Sequence, residues 1–181
     1  DLEQFVAWLE NKYKDQPEIS AYISEVKDFA IENAEEFMPT DASGEVGNAK
    51  SYTAFSVNVI VDNTGMTTKP VVFEDNPTYQ NLVGRVEYIS QMGTLLTDFT
   101  LIKAGALHRA NGGYLVLEAE KLLRHLYAWE GLKQALKSRE IKITSLQEVL
   151  SLNSTLSLEP ESAPLEVKII LMGEPYIYYL L

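Results

Sequence analysis

The chain of 181 residues contains no cysteine. Disulfides and thiolate metal sites are therefore excluded, and a reducing, cytoplasmic setting is the expected one. Histidine is almost as scarce: His108 and His125 are the only two, and they are not spaced as a helical i, i+4 metal pair. Cationic residues are outnumbered, 15 against 26 acidic ones, for a net charge of -11. That balance repels a phosphate backbone and argues against nucleic-acid binding. No apolar run reaches the ~18 residues needed to cross a bilayer, and no signal peptide is visible, so no membrane partner is expected. Two catalytic patterns are also missing. No G-x-x-x-x-G-K-[ST] loop is present to cradle phosphates, and no G-x-S-x-G elbow to present a nucleophilic serine.

What is present is the composition of a globular protein, 46% hydrophobic and 10% aromatic. The length permits one substantial core with a protruding helical arm. Leu2, Phe5, Val6 and Leu9 recur with helical period until Pro17 stops them. Ile19, Tyr22, Ile23, Val26, Phe29, Ala30 and Phe37 form a second stripe, so 1–38 reads as an antiparallel helical hairpin with a solvated acidic face. Residues 39–51 are rich in Gly, Ser, Thr and Asn and read as a linker loop. From 52 to 181 the pattern is mixed α/β. Phe55, Val57, Val59 and Val61 alternate as a half-buried strand should, Asn63 to Gly65 turns the chain, and Pro70 to Glu74 offers a returning strand. Asn76 or Thr78 is placed to cap the helix that follows, with Pro77 in its first turn.

The most informative stretch is Gly105-Ala-Leu-His-Arg-Ala-Asn-Gly-Gly113 leading into Tyr114-Leu-Val-Leu117 and the acidic Glu118-Ala-Glu120. Glycines, a short apolar run and then carboxylates describe a central strand whose carboxyl tip presents charge, and ligands of open α/β sheets sit at such tips. Gly112 and Gly113 permit the tight turn into it. A helix runs from Leu122 through Leu136, Glu140 to Thr144 starts a hairpin, and Val167 to Met172, almost continuously apolar, reads as another central strand. The chain opens inside helical periodicity at Asp1 and stops in Tyr176-Ile-Tyr-Tyr-Leu-Leu181, which reads as a segment cut from a longer protein.

Taken with Pro77-Thr-Tyr-Gln-Asn-Leu-Val-Gly-Arg85, Thr97-Asp-Phe-Thr-Leu-Ile-Lys103 and Leu165-Glu-Val-Lys-Ile-Ile-Leu-Met-Gly173, the Gly105–Glu120 stretch resembles the ATPase region of Lon-like ATP-dependent proteases, in particular the B-type, protease La homologue branch. The resemblance runs from about Val57 to the carboxyl end, and the first fifty residues match only as a helical insertion. It implies a partial P-loop-type AAA+ core with parallel central strands and a β-hairpin. It further implies a parent enzyme that uses ATP and Mg²⁺, assembles as a homo-oligomeric, hexameric ring, and threads protein substrates to a Ser–Lys peptidase dyad. Phosphate loop and dyad would lie outside these residues, so no catalytic residue and no bound cofactor are expected in this segment.

By the same resemblance Glu118 stands where a metal-binding Asp is expected and Ala119 where a Glu orients the attacking water. A positioned base contributes ~10²- to 10⁴-fold to rate, so Ala119 implies weak or absent hydrolysis unless Glu120 substitutes. The alternative for Glu118 and Glu120 is that both simply open the next helix, where carboxylates favour its positive end. Gly173 and Glu174 occupy the place of a residue that senses the γ-phosphate. Tyr88, Ile89, Met92 and Gly93 match the loop that grips polypeptide in the axial channel; ordinary core packing of Tyr88 and Ile89 is the alternative. Arg109 suits a structural or subunit-interface role, or an arginine finger, and His108 a structural one. Two rival functions stay open: a degenerate AAA+ scaffold that binds partners without hydrolysis, and a DNA-remodelling ring protein, which the acidic balance disfavours.

Overall fold

The computed structural model describes residues 2–34, 56–144 and 158–179. The linker over 39–51, Phe37, Phe55 and most of the mixed segment from Leu146 to Pro164 lie outside the described residues. The chain separates into two compact units, Asp1–Ser56 and Val57–Leu181.

The first unit contains two helices, α1 (Leu2–Lys12) and α2 (Pro17–Glu32). Proline at the start of α2 needs no amide partner and has its φ preset, and Gln16 before it is extended, as a residue preceding proline prefers. Between the helices the chain turns within four residues, held by the Gln16 amide donating to the Tyr13 carbonyl at 2.9 Å. Val6 and Ile23 are buried, whereas Phe5 and Tyr22 of the expected stripes are exposed. A pair of helices offers only a narrow seam, and the wider stripe does not fit into it. Phe5 stacks instead on Trp8, with ring centroids 5.9 Å apart.

The second unit is built on a three-stranded parallel sheet in the order β1 (Val71–Glu74), β6 (Tyr114–Glu118), β9 (Lys168–Met172). Both ladders are in register along their length, Val71 facing Tyr114 and Tyr114 facing Lys168. Parallel neighbours need long crossovers. The first carries α3 (Tyr79–Val83), β2 (Arg85–Val86), β3 (Ile89–Gln91), β4 (Thr94–Leu96), β5 (Ile102–Lys103) and α4 (Ala106–Arg109). The second carries α5 (Ala119–Arg124), α6 (Ala128–Ser138), and β7 (Glu140–Ile141) paired with β8 (Ala163–Pro164). Leu115 and Leu117 point from the central strand into a core shared with Leu82, Leu107, Leu122 and Leu132, all essentially inaccessible to solvent. Burying such a side chain fully stabilises by about 1.5–3 kcal/mol.

Several expectations are corrected. Residues 56–61 form no strand: Val57 and Val59 are exposed, and the Asn58 amide donates instead to the carbonyls of Phe99 at 2.8 Å and Ile102 at 3.1 Å. The returning strand β1 takes β6 as its parallel partner, so the hairpin expected before residue 74 is absent, and among the described residues β3 and β4 form a hairpin instead. Pro77 precedes the helix; Thr78 is its cap, accepting from the Asn81 amide at 3.2 Å. The single helix expected from Leu122 to Leu136 is broken at Tyr127, whose φ of 63° reverses the chain so that Leu122 and Leu132 enter the same core. Finally, β9 lies at the edge of the three described strands, not at the centre, and its residues alternate between half-buried and exposed.

A glycine contact fixes the first crossover to the core. A Cβ on Gly105 would lie 2.2 Å from the Leu82 carbonyl oxygen and 2.4 Å from the Gly84 nitrogen, and Gly84 itself has φ 99°. Only two backbones without side chains can cross so closely, and this crossing anchors the segment from Arg85 to Lys103.

Candidate functional site

Two regions of the second unit carry the candidate residues: a hairpin raised on the first crossover, and the carboxyl edge of the sheet.

The hairpin stands on a short antiparallel ladder, β2 with β5, braced by the Glu87 amide donating to the Leu101 carbonyl at 3.0 Å and by the Thr97 hydroxyl donating to the Glu87 carbonyl at 2.8 Å. Above it β3 and β4 pair with Ile89 opposite Leu96 and Gln91 opposite Thr94. The two-residue turn between them, Met92-Gly93, has φ values of 50° and 81°, the left-handed pair that fits the twist of a tight hairpin. Glycine adopts this freely, and methionine does so at a cost. Met92 is 100% exposed, and Tyr88, Ile89, Leu95 and Leu96 are exposed as well. Tyr88, Ile89, Met92 and Gly93 are thus brought together on one protrusion, and the core-packing alternative for Tyr88 and Ile89 does not hold.

At the carboxyl edge, β1 and β6 end side by side, with Glu74 opposite Leu117. Glu118 is the last residue of β6 and the residue from which α5 starts; its carboxylate makes no capping bond. It lies 3.1 Å from the ammonium of Lys121, which is also 2.6 Å from Asp75 just beyond β1. The Asp75 hydrogen bond, then that of Glu118, raises the Lys121 pKa, so the cation is retained. Glu120 is ion-paired with Arg124 one turn along α5. Arg109 donates to Glu74 at 2.7 Å, and Glu74 also accepts the Asn76 amide at 3.1 Å. The guanidinium is therefore engaged within its own chain.

Ala119 is buried at 3% exposure. A Cβ on Gly173 would sit 3.4 Å from the Ala119 Cβ and 3.2 Å from the Ile177 Cδ1, and Ile177 is itself buried. The two positions that resemblance assigns to water orientation and phosphate sensing therefore meet across an apolar contact, without a polar atom on either side chain. Glu174, exposed, follows at the start of a 3-10 turn over Pro175–Tyr179, where its carbonyl accepts the Ile177 amide at 3.0 Å. Among the described residues no group of three or more His, Cys, Asp or Glu is placed to hold a metal ion. With Glu118 bonded to an ammonium and nothing polar at 119 or 173, this edge does not fit a magnesium ion and its attacking water.

His108 is structural: its Nδ1 accepts the Gly105 amide at 3.3 Å, and burial pushes its pKa below the usual 6.5. Sequence reading passed over Asp75 and Lys121. The signal was there, a second acid after the apolar run Val71-Val-Phe73 and a lysine three residues beyond Glu118, but their meeting depends on the sheet pairing. Among the described residues no helix is long and apolar enough to cross a membrane.

A protein-family model described as "LonB-like, AAA domain" matches residues 67–181. The "Putative Lon protease homolog" of Escherichia coli (strain K12) is 28% identical over 162 residues, covering 87% of this chain and 25% of that protein. The chain thus spans about a quarter of the relative's length.

Proposed function

The chain belongs to the LonB-like AAA-domain family, and we propose that it forms part of the ATPase module of a Lon-type ATP-dependent serine protease, with β3–β4 as the hairpin that grips unfolded polypeptide. The observation that carries this reading is the exposed apolar tip, Met92 flanked by Ile89, Leu95 and Tyr88, on a hairpin whose base is locked by the Gly84–Gly105 crossing. Methionine and tyrosine adapt to many apolar partners, as a surface that must accept unrelated sequences requires. A rigid base under an adaptable tip transmits force while tolerating sequence. In the parent, the ring is a homo-oligomer, hexameric in this reading, and the peptidase dyad is supplied by residues beyond these. ATP supplies the driving reaction; the residues described here position the hairpin and close the sheet edge, and no hydrolytic step is assigned to them. The test is ATP turnover and casein degradation by the full-length protein. Coupled activities are expected, and a protein with neither activity and no Ser–Lys dyad in its remaining sequence overturns the reading.

One observation favours the second reading, a scaffold that binds partners without hydrolysis: Ala119 and Ile177 are both buried and both lie beside Gly173, so neither position 119 nor position 173 offers a polar side chain. If an absent base is the reason, Ala119→Glu raises ATP turnover. An unchanged rate shows that the position has another role.

A further inference from the structure

The lysine at the sheet edge is central to how that edge is neutralised. We propose that Lys121 takes the place of a divalent cation there, so that Asp75 and Glu118 form an ion cluster closed within the chain where the family resemblance would put a metal. The inference rests on the reading of this edge as part of a nucleotide cleft.

Asp75 directly follows β1 and Glu118 ends β6, neighbouring parallel strands, so the sheet itself delivers two carboxylates to one spot. Lys121 lies on the first turn of α5, three residues after Glu118, and its ammonium reaches both, at 2.6 Å and 3.1 Å. An ammonium has three donors and a point charge, which two carboxylates can satisfy without a rigid fork. A magnesium ion would require about six oxygen ligands at about 2.0–2.1 Å. Here the two nearest carboxylates are already bonded, and the adjacent position, Ala119, is buried and apolar. Replacing the ammonium with a metal would mean expelling a covalently tethered cation. The pairs are solvent-exposed, so each one's effect on stability is small; their consequence is competition with metal.

The experiment uses the full-length protein and Mn²⁺ alone, without nucleotide, counting bound ion by electron paramagnetic resonance. Wild type, Glu118→Gln, Lys121→Met, Lys121→Arg and the double variant Lys121→Met with Glu118→Gln are compared. The wild type and Glu118→Gln are expected to bind Mn²⁺ identically, because no wild-type ion depends on Glu118. Lys121→Met is expected to gain a site at least about tenfold tighter than anything at this edge in the wild type, since a unit positive charge has left a carboxylate pair. The double variant should lose that site again, and Lys121→Arg, which keeps a cation, should behave as wild type. A Glu118-dependent ion in the wild type as tight as in Lys121→Met overturns the proposal. So does a Lys121→Met protein that gains no site. Failure of the protease reading would appear in ATP-dependent degradation and leave this ion count unchanged.

Discussion

The sheet edge and the hairpin belong to the same unit yet are built in opposite ways. At the edge, Glu74, Asp75, Glu118 and Glu120 are each met by a cation of the same chain. On the hairpin, Ile89, Met92, Leu95 and Leu96 present apolar surface to water. A satisfied cluster has little interaction free energy left to give a partner, whereas exposed apolar area releases about 25 cal/mol for each Å² that a partner covers. The contrast teaches that, of the two regions resemblance marks out, the hairpin is the one that leaves apolar surface uncovered within the described residues.

The largest expected effect breaks the crossing on which the hairpin stands. In Gly105→Ala the new methyl would meet the Leu82 carbonyl oxygen at 2.2 Å. Backbone atoms cannot yield as a flexible side chain can, so a loss of about 3 kcal/mol or more is expected. A marked fall in the thermal midpoint of the full-length protein is the check. A smaller effect sharpens the contrast at the tip. Met92→Ala combined with Leu95→Ala should change stability by less than about 0.5 kcal/mol, because both side chains are exposed. The same variant should slow degradation of unfolded substrate by about tenfold, the equivalent of ~1.4 kcal/mol of lost contact. Comparing urea midpoints with degradation rates separates the two.

The smallest effect concerns pH. Burial lowers the His108 pKa from 6.5, so below about that pH the unfolded chain binds the extra proton more readily than the folded one. Stability should therefore be flat above pH 6.5 and decline as pH falls through that value toward the lower folded pKa. Denaturation midpoints measured against pH check this, and His108→Asn should remove the slope.

Much of the sheet was legible. The run Tyr114–Leu117, with glycines before and acid after, announced a central strand, and its parallel pairing with β9 follows from two apolar runs joined by a helical crossover. A cap at Asn76 or Thr78 was readable because capping is local chemistry, and Thr78 is the one that serves. What sequence could not show was decided at long range. Val57, Val59 and Val61 alternate as a strand should, yet a strand exists only when a partner is free, and β1 pairs with β6. The break at Tyr127 carries no local mark, since a tyrosine with φ 63° is imposed by the core around it. Lys121 and Asp75 are separated by 46 positions and meet only after the sheet has formed.

The central claim is that the hairpin touches substrate. It is tested most directly by placing a photo-crosslinking residue at position 92 of the full-length protein during ATP-dependent degradation, with position 168, exposed at the start of β9, as the control. The account predicts adducts to the substrate polypeptide from position 92 and none from 168. Equal labelling at both positions, or no substrate adduct from 92, would contradict it.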